Sequence, residues 1–198
     1  MPSYLEVRFY LDGLWLLLKG DAQGFRLLDV SQRGMTRSFW AFLWCLPAMF
    51  VAWNWIRLSF LEASPPGTKA GLPFFLRLAL IEAINWIVPL IFIAVVCMLM
   101  NIARKFPAIV VTANWLSVPL SYAYAILTLF ALALPSLAGI VAIFQVLLLF
   151  ATVASVSRIL RLICGPQPLM VTTLVLVLFV PGLLLSDLLQ DFLGVAPY

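Results

Sequence analysis

The chain has no histidine in its 198 residues and little charge, since Asp, Glu, Lys and Arg together make up only 10% of it. Without imidazole, His-ligated zinc, haem and Ser-His-Asp chemistry are excluded. The three cysteines, Cys45, Cys97 and Cys164, fall in or beside separate apolar runs with no companion at ligand spacing. They read as small hydrophobes, neither a metal site nor a disulfide framework. No phosphate loop, dinucleotide fingerprint or inverted repeat is present, and no paired aspartates or Ser with a basic partner lie at depth in a run. An enzyme is therefore not expected, and neither is any cofactor or metal. So little charge, beside 65% hydrophobic residues and a mean hydropathy of +1.12, cannot clothe a soluble domain.

What the chain has instead is long apolar runs. Five are long enough for a hydrocarbon core of about 30 Å at about 1.5 Å per residue. They lie near residues 39–60, 74–100, 107–134, 137–159 and 169–189. The fold class expected is all-α, a polytopic membrane protein with five transmembrane helices preceded by an amphipathic interfacial helix. The second and third runs exceed the roughly 20 residues required, so tilt or kinks are expected at Pro89 and Pro119. Trp40 and Trp44, with Trp53 and Trp55, resemble interfacial anchors at the two ends of the first run.

The net charge of +4 does not indicate nucleic acid, because the basic residues flank apolar runs as orientation signals do. With the N-terminus inside, Arg8, Lys19, Arg26, Arg33, Arg37, Arg104, Lys105, Arg158 and Arg161 are cytoplasmic, and only Arg57, Lys69 and Arg77 are outside. That asymmetry predicts a cytoplasmic N-terminus and an external C-terminus, in what is expected to be a bacterial cytoplasmic membrane.

Residues 1–38 form a separate lead-in to the span region 39–198. Ser3 and Glu6 have capping-box spacing and predict a helix from there to about Gly20. Arg8, Asp12 and Lys19 share one narrow stripe of it, and leucines and Phe9 spread over much of the rest. Such a helix belongs in the interface plane. Arg26, Arg33 and Arg37 then hold the chain at the headgroups. Glu6, Arg8 and Asp12 break the order of a signal peptide, and no small-residue cleavage site follows.

The polar residues at membrane depth are the candidate functional cluster: Arg57, Arg77, Glu82, Asn85, Asn114, Ser117 and Ser121. Glu82, Asn85 and Pro89 share one helix face, whereas Arg77 is about 140° from Glu82 and can snorkel outward. Glu82 then needs Arg57 as a partner, or else is a carboxyl kept neutral by desolvation. Asn114, Ser117, Ser121, Tyr124 and Thr128 repeat at three and four, a continuous stripe suited to helix packing or to a water-lined path. Gln145, Thr152, Ala151 and Ser155 extend the theme to the fourth run.

A basic pair followed by Phe106-Pro107, the run Ile109 to Trp115 ending in Asn114-Trp115, the Ser-Val-Pro-Leu of Ser117 to Leu120 and three closely spaced later runs resemble the bacterial branch of the five-span Yip (Rab-interacting protein) family. The resemblance implies a helical membrane protein with a cytoplasmic N-terminus, tied in eukaryotes to trafficking partners. This chain differs in having a short amphipathic lead-in where those proteins carry a long soluble region. Two functions fit these features: a non-enzymatic scaffold, assembly or interaction subunit, and a small transporter, channel or permease subunit using the polar stripe around Glu82 and Asn114. The partners expected are the bilayer and other membrane proteins or a second copy of the chain. Cysteine labelling of intact cells should reach positions near Thr68 and Val195; labelling near Lys105 and Gly165 from outside would overturn the five-span, N-in topology.

Overall fold

The computed structural model describes residues 2–196, all helix and turn with no strand among the described residues. Helix α1 spans Tyr4–Lys19, followed by a 3₁₀ turn at Ala22–Leu27 and the short helix α2 at Gln32–Ser38. Five long helices follow: α3 (Ala41–Ala63), α4 (Leu72–Leu99), α5 (Phe106–Ala133), α6 (Ala138–Cys164) and α7 (Pro168–Leu193). All five are long and apolar enough to cross a membrane, α3 together with α2 as one continuous candidate, so the chain is a polytopic helical membrane protein. In hydrocarbon a helix satisfies its backbone internally, which is why these runs fold as helices despite many β-branched residues. The helices continue through Pro47, Pro89, Pro119 and Pro181.

The expected boundaries of α1 hold. Ser3 Oγ accepts from the Glu6 backbone N–H at 3.3 Å, the Glu6 carboxylate accepts from the Ser3 N–H at 2.7 Å, and Gly20 ends the helix in the left-handed region at φ 90°. Glu6 also pairs with Arg37 of α2 at 2.9 Å. The Ser3 backbone N–H first, and Arg37 next, hold the Glu6 carboxyl below the usual carboxylate range. A depressed value makes this clasp's contribution complete above the unfolded-state value and lost as pH falls through the folded one. The pair is exposed, so its share of the stability is small.

Arg8, Asp12 and Lys19 are all exposed, as the stripe requires. The opposite face does not meet lipid: Val7, Tyr10, Leu14 and Leu17 are buried in the main core, with Tyr10 against Trp115 of α5 at a ring-centroid distance of 4.8 Å. The Lys19 carbonyl accepts from Arg158 of α6 at 3.1 Å. The middle of α1 thus rests on α5 and its C-terminal end is held by α6. The expected surface helix is thus a docked one, with Tyr4, Leu5, Phe9 and Trp15 its exposed large hydrophobic residues beside the charged stripe.

Helix α5 is the hub of the bundle. It packs extensively on α3, α6 and α2 and more lightly on α1 and α4, while α4 packs chiefly on α7. Sidedness follows from specific contacts: Ser38 meets Asn114, Cys45 meets Ser117 and Trp55 shares a cavity with Thr128, so α3 and α5 run parallel, whereas Asn85 to Ser186 and Arg77 to Leu193 make α4 and α7 antiparallel. A second apolar cluster near the α5 start joins Ile93 and Cys97 to Ile109, Leu160, Val171 and Leu174. There Lys105 Nζ donates to the Cys164 carbonyl at 3.1 Å, tying the start of α5 to the end of α6. All three cysteines are buried and free. Of the four tryptophans expected as anchors, Trp40 and Trp55 are exposed and Trp44 half-buried, but Trp53 is a core residue, because it turns inward onto α4. Val195 is likewise buried, so the external label proposed for that end belongs at exposed Phe192.

The lead-in is held compact by glycine. A methyl on Gly24 would collide with the Gly13 carbonyl oxygen and approach the Leu17 side chain at 2.8 Å, while Gly139 has open space around it. Gly24→Ala should therefore loosen α1 from the 3₁₀ turn at a cost of about 1–3 kcal/mol, seen as faster hydrogen exchange over residues 4–28. Gly139→Ala should leave exchange there unchanged; equal behaviour of the two variants would contradict the close approach.

Candidate functional site

The candidate residues do not converge on one centre but divide among three places. At the end of the bundle away from α1, Arg57 Nε donates to the Ala70 carbonyl at 2.8 Å and Arg77 donates to the Leu193 carbonyl at 2.8 Å. Each arginine fastens a chain end or connection, Arg57 the α3–α4 loop and Arg77 the end of α7. The expected Arg57–Glu82 pair is absent. The sole ion pair among the described residues is Arg37–Glu6, and the Ala70 carbonyl takes the Arg57 guanidinium because the loop folds back over it.

Glu82 occupies a second place, half-buried between α4 and α3 beside Cys45. The Trp53 indole faces it from α3 but does not complete a hydrogen bond of ordinary geometry. No cation is paired to it among the described residues.

The third place holds Asn85, Asn114, Ser117 and Ser121. Asn114 is 3% exposed and bonded on both sides: its Oδ1 accepts from Trp86 Nε1 of α4 at 3.0 Å, and its Nδ2 donates to Ser38 Oγ of α2 at 2.8 Å. Ser38, fully buried, donates in turn to the Met35 carbonyl at 2.7 Å. Asn85 Nδ2 donates to Ser186 Oγ of α7 at 2.7 Å. Ser117 and Ser121 donate to carbonyls of their own helix, Asn114 at 2.6 Å and Val118 at 2.9 Å, and Ser117 also meets Cys45 Sγ at 3.7 Å. These four residues border one cleft of about 340 Å³ between α4 and α7 on one side and α5 and α6 on the other. Thr152 of α6 reaches it too, whereas Glu82 is not among its lining residues.

Ser38, Trp86 and Ser186 were not expected in this cluster. Ser38 closes an arginine-rich lead-in, Trp86 reads as apolar filling, and Ser186 sits in a leucine run. The only signal for Trp86 is its position beside Asn85 and four residues past Glu82, which puts its ring at the edge of the polar face. Compared with protein-family models, curated proteins and solved structures, the chain has no match.

No described group of three or more Cys, Asp or Glu side chains could hold a metal ion. What the cluster does chemically is to join helices: Asn85 joins α4 to α7, and Asn114 joins α4, α5 and α2. Because Glu82 and Arg57 have separate surroundings, Glu82→Gln should leave stability in detergent within about 0.5 kcal/mol of the parent, and Arg57→Gln should cost about 0.5–1.5 kcal/mol for its lost bond. The double variant should be additive within about 0.5 kcal/mol by thermal unfolding. Recovery of stability in the double variant would mean that the two are paired after all.

Proposed function

We propose that this integral membrane protein is a non-enzymatic scaffold, assembly or interaction subunit whose N-terminal layer lies on the cytoplasmic side and receives a membrane-protein partner or a second copy of the chain. The observation that carries this reading is how the intramembrane polar side chains are used. Asn85, Trp86 and Asn114 bond helix to helix, and the arginines Arg57, Arg77 and Arg158 close onto backbone carbonyls of other segments. A transport route needs polar groups whose partners exchange with a passing solute, whereas the amide nitrogens of Asn85 and Asn114 and the three guanidinium groups are already committed.

The docked lead-in supplies a surface for the partner. Phe9 and Trp15 are more than half exposed on α1, flanking Arg8, Asp12 and Lys19. Exposed aromatics beside charge are the composition of interface anchors. The cytoplasmic placement rests on the distribution of Lys and Arg, and the five-span layout agrees with the Yip-like reading. A transporter or channel subunit remains the second reading because of the cleft, though its lining contains no Asp, Glu, Lys or Arg.

One pair of measurements separates the two. A photo-crosslinking residue at Phe9 or Trp15 in living cells should give a protein adduct of discrete mass, and one at buried Leu14 should give none. Reconstituted vesicles should hold an imposed proton gradient as long as protein-free vesicles do. Faster collapse of that gradient, abolished by Glu82→Gln, would replace the scaffold with a transporter.

A further inference from the structure

Helix α6 carries its charge at one end. The stretch 138–157 holds no ionisable residue and, at about 1.5 Å per residue, covers the roughly 30 Å of a hydrocarbon core. Arg158 is the first charged residue beyond it, so its guanidinium stands at the level of lipid phosphates, and there α6 meets the C-terminal end of α1. Arg158 Nη2 donates to the Lys19 carbonyl at 3.1 Å, and the guanidinium lies over Gly20, where a side chain would come within 3.1 Å of it. The Lys19 ammonium is drawn over the Trp15 ring, 5.0 Å from its centroid. Both cations are exposed, and neither meets a carboxylate, since the sole ion pair among the described residues is Arg37–Glu6. The acid nearest in sequence, Asp21, accepts from the Gln23 backbone N–H at 2.8 Å. The bond to Lys19 uses one of the five N–H donors of the guanidinium, which leaves the rest, with the whole ammonium, facing outward. A helix C-terminus by itself repels anions. Here one cation covers the Lys19 carbonyl and a second stands beside it, which reverses the sign.

We propose that this patch binds the headgroup phosphate of an anionic phospholipid, held by Lys19 and Arg158, with the acyl chains lying along α6. A lipid fits better than a soluble phosphate or an acidic peptide, because the Arg158 face of α6 continues into exposed Leu147 and Phe144, which lie within about 40° of Arg158 around the helix and deeper in the membrane. A headgroup of net negative charge fits better than a zwitterionic one, because two cations without a counter-ion await it and a phosphate carried beside its own ammonium would leave them uncompensated. Bound there, the lipid would touch both the lead-in and the fourth span, adding to the single Arg158–Lys19 bond that ties the end of α1 to α6. The site goes beyond the partner reading and does not rest on it: Phe9 is not part of it, and it requires only the chain and a lipid.

The test is native mass spectrometry of the purified full-length protein mixed with equal amounts of phosphatidylglycerol and phosphatidylcholine of the same chain length. Phosphatidylglycerol adducts should exceed the others about twenty-five-fold, about fivefold for each basic side chain at the headgroup. Lys19→Gln should cut that preference about fivefold, and Lys19→Arg should keep it. Lys19→Gln is the deciding variant, because it retains the backbone carbonyl that Arg158 holds, whereas Arg158→Gln loses both the cation and the bond. Arg33→Gln removes the same charge from another exposed position of the lead-in and should leave the preference unchanged. Glycerol phosphate in excess, a headgroup without chains, should not displace the lipid. Equal binding of the two lipids, equal effects of Lys19→Gln and Arg33→Gln, or displacement by glycerol phosphate would overturn the assignment.

Discussion

The structure depends on where its buried polar groups find partners, because hydrocarbon offers none. Asn114 is the point at which that constraint is most concentrated. It lies about 12 Å along α5 at about 1.5 Å per residue, too deep for water to serve it. Its two ends are met by Trp86 from one span and Ser38 from the lead-in. A single amide thus fixes three segments that are far apart in sequence. Leucine, of the same branched shape, would leave the Trp86 N–H and the Ser38 hydroxyl to find other partners, and the register of α2 and α4 on α5 would no longer be specified by hydrogen bonding.

The arrangement of the spans follows from α5 being packed on nearly all sides along residues 109–118. Its buried residues include Ile109, Val110, Val111, Trp115, Leu116 and Val118 around the Asn114 turn, whereas α6 and α7 bury few. Since α4 packs chiefly on α7, the bundle is two groups, α3–α5–α6 and α4–α7, joined through α6–α7 contacts and the Trp86–Asn114 bond. The cleft is the seam between them. It persists because Pro89 and the small residues Ala113, Ser117 and Ser121 border it in place of bulky side chains that would fill it.

Much of this could be read from the residues, and what could not has a common cause. Ser3 with Glu6, and Gly20, place both ends of α1, since capping is local chemistry. The five spans follow from length and hydropathy alone. The three-and-four spacing of Asn114, Ser117 and Ser121 correctly puts them on one inward face. The Arg57–Glu82 pairing fails because a guanidinium at a helix end has backbone carbonyls as competitors, and those carry no signature in the residue pattern. Ala70 is such an acceptor, and Leu193 is another for Arg77. Trp53 fails similarly: an indole near a helix end suits an interface, but the burial of its ring is decided by α4, a neighbour that no local pattern identifies.

The separation of charge from the interior connects these features. Arg57, Arg77 and Arg158 reach carbonyls near the bundle's ends or its lead-in, and the Glu6–Arg37 pair is at the surface. The residues that border the cleft, Asn85, Asn114, Ser117 and Thr152, are neutral. Neutral groups can leave one hydrogen-bonding position unmet at a cost of a few kcal/mol, which an unpaired buried charge could not do without titrating. That difference allows an unfilled acceptor at Asn85 to coexist with a stable bundle.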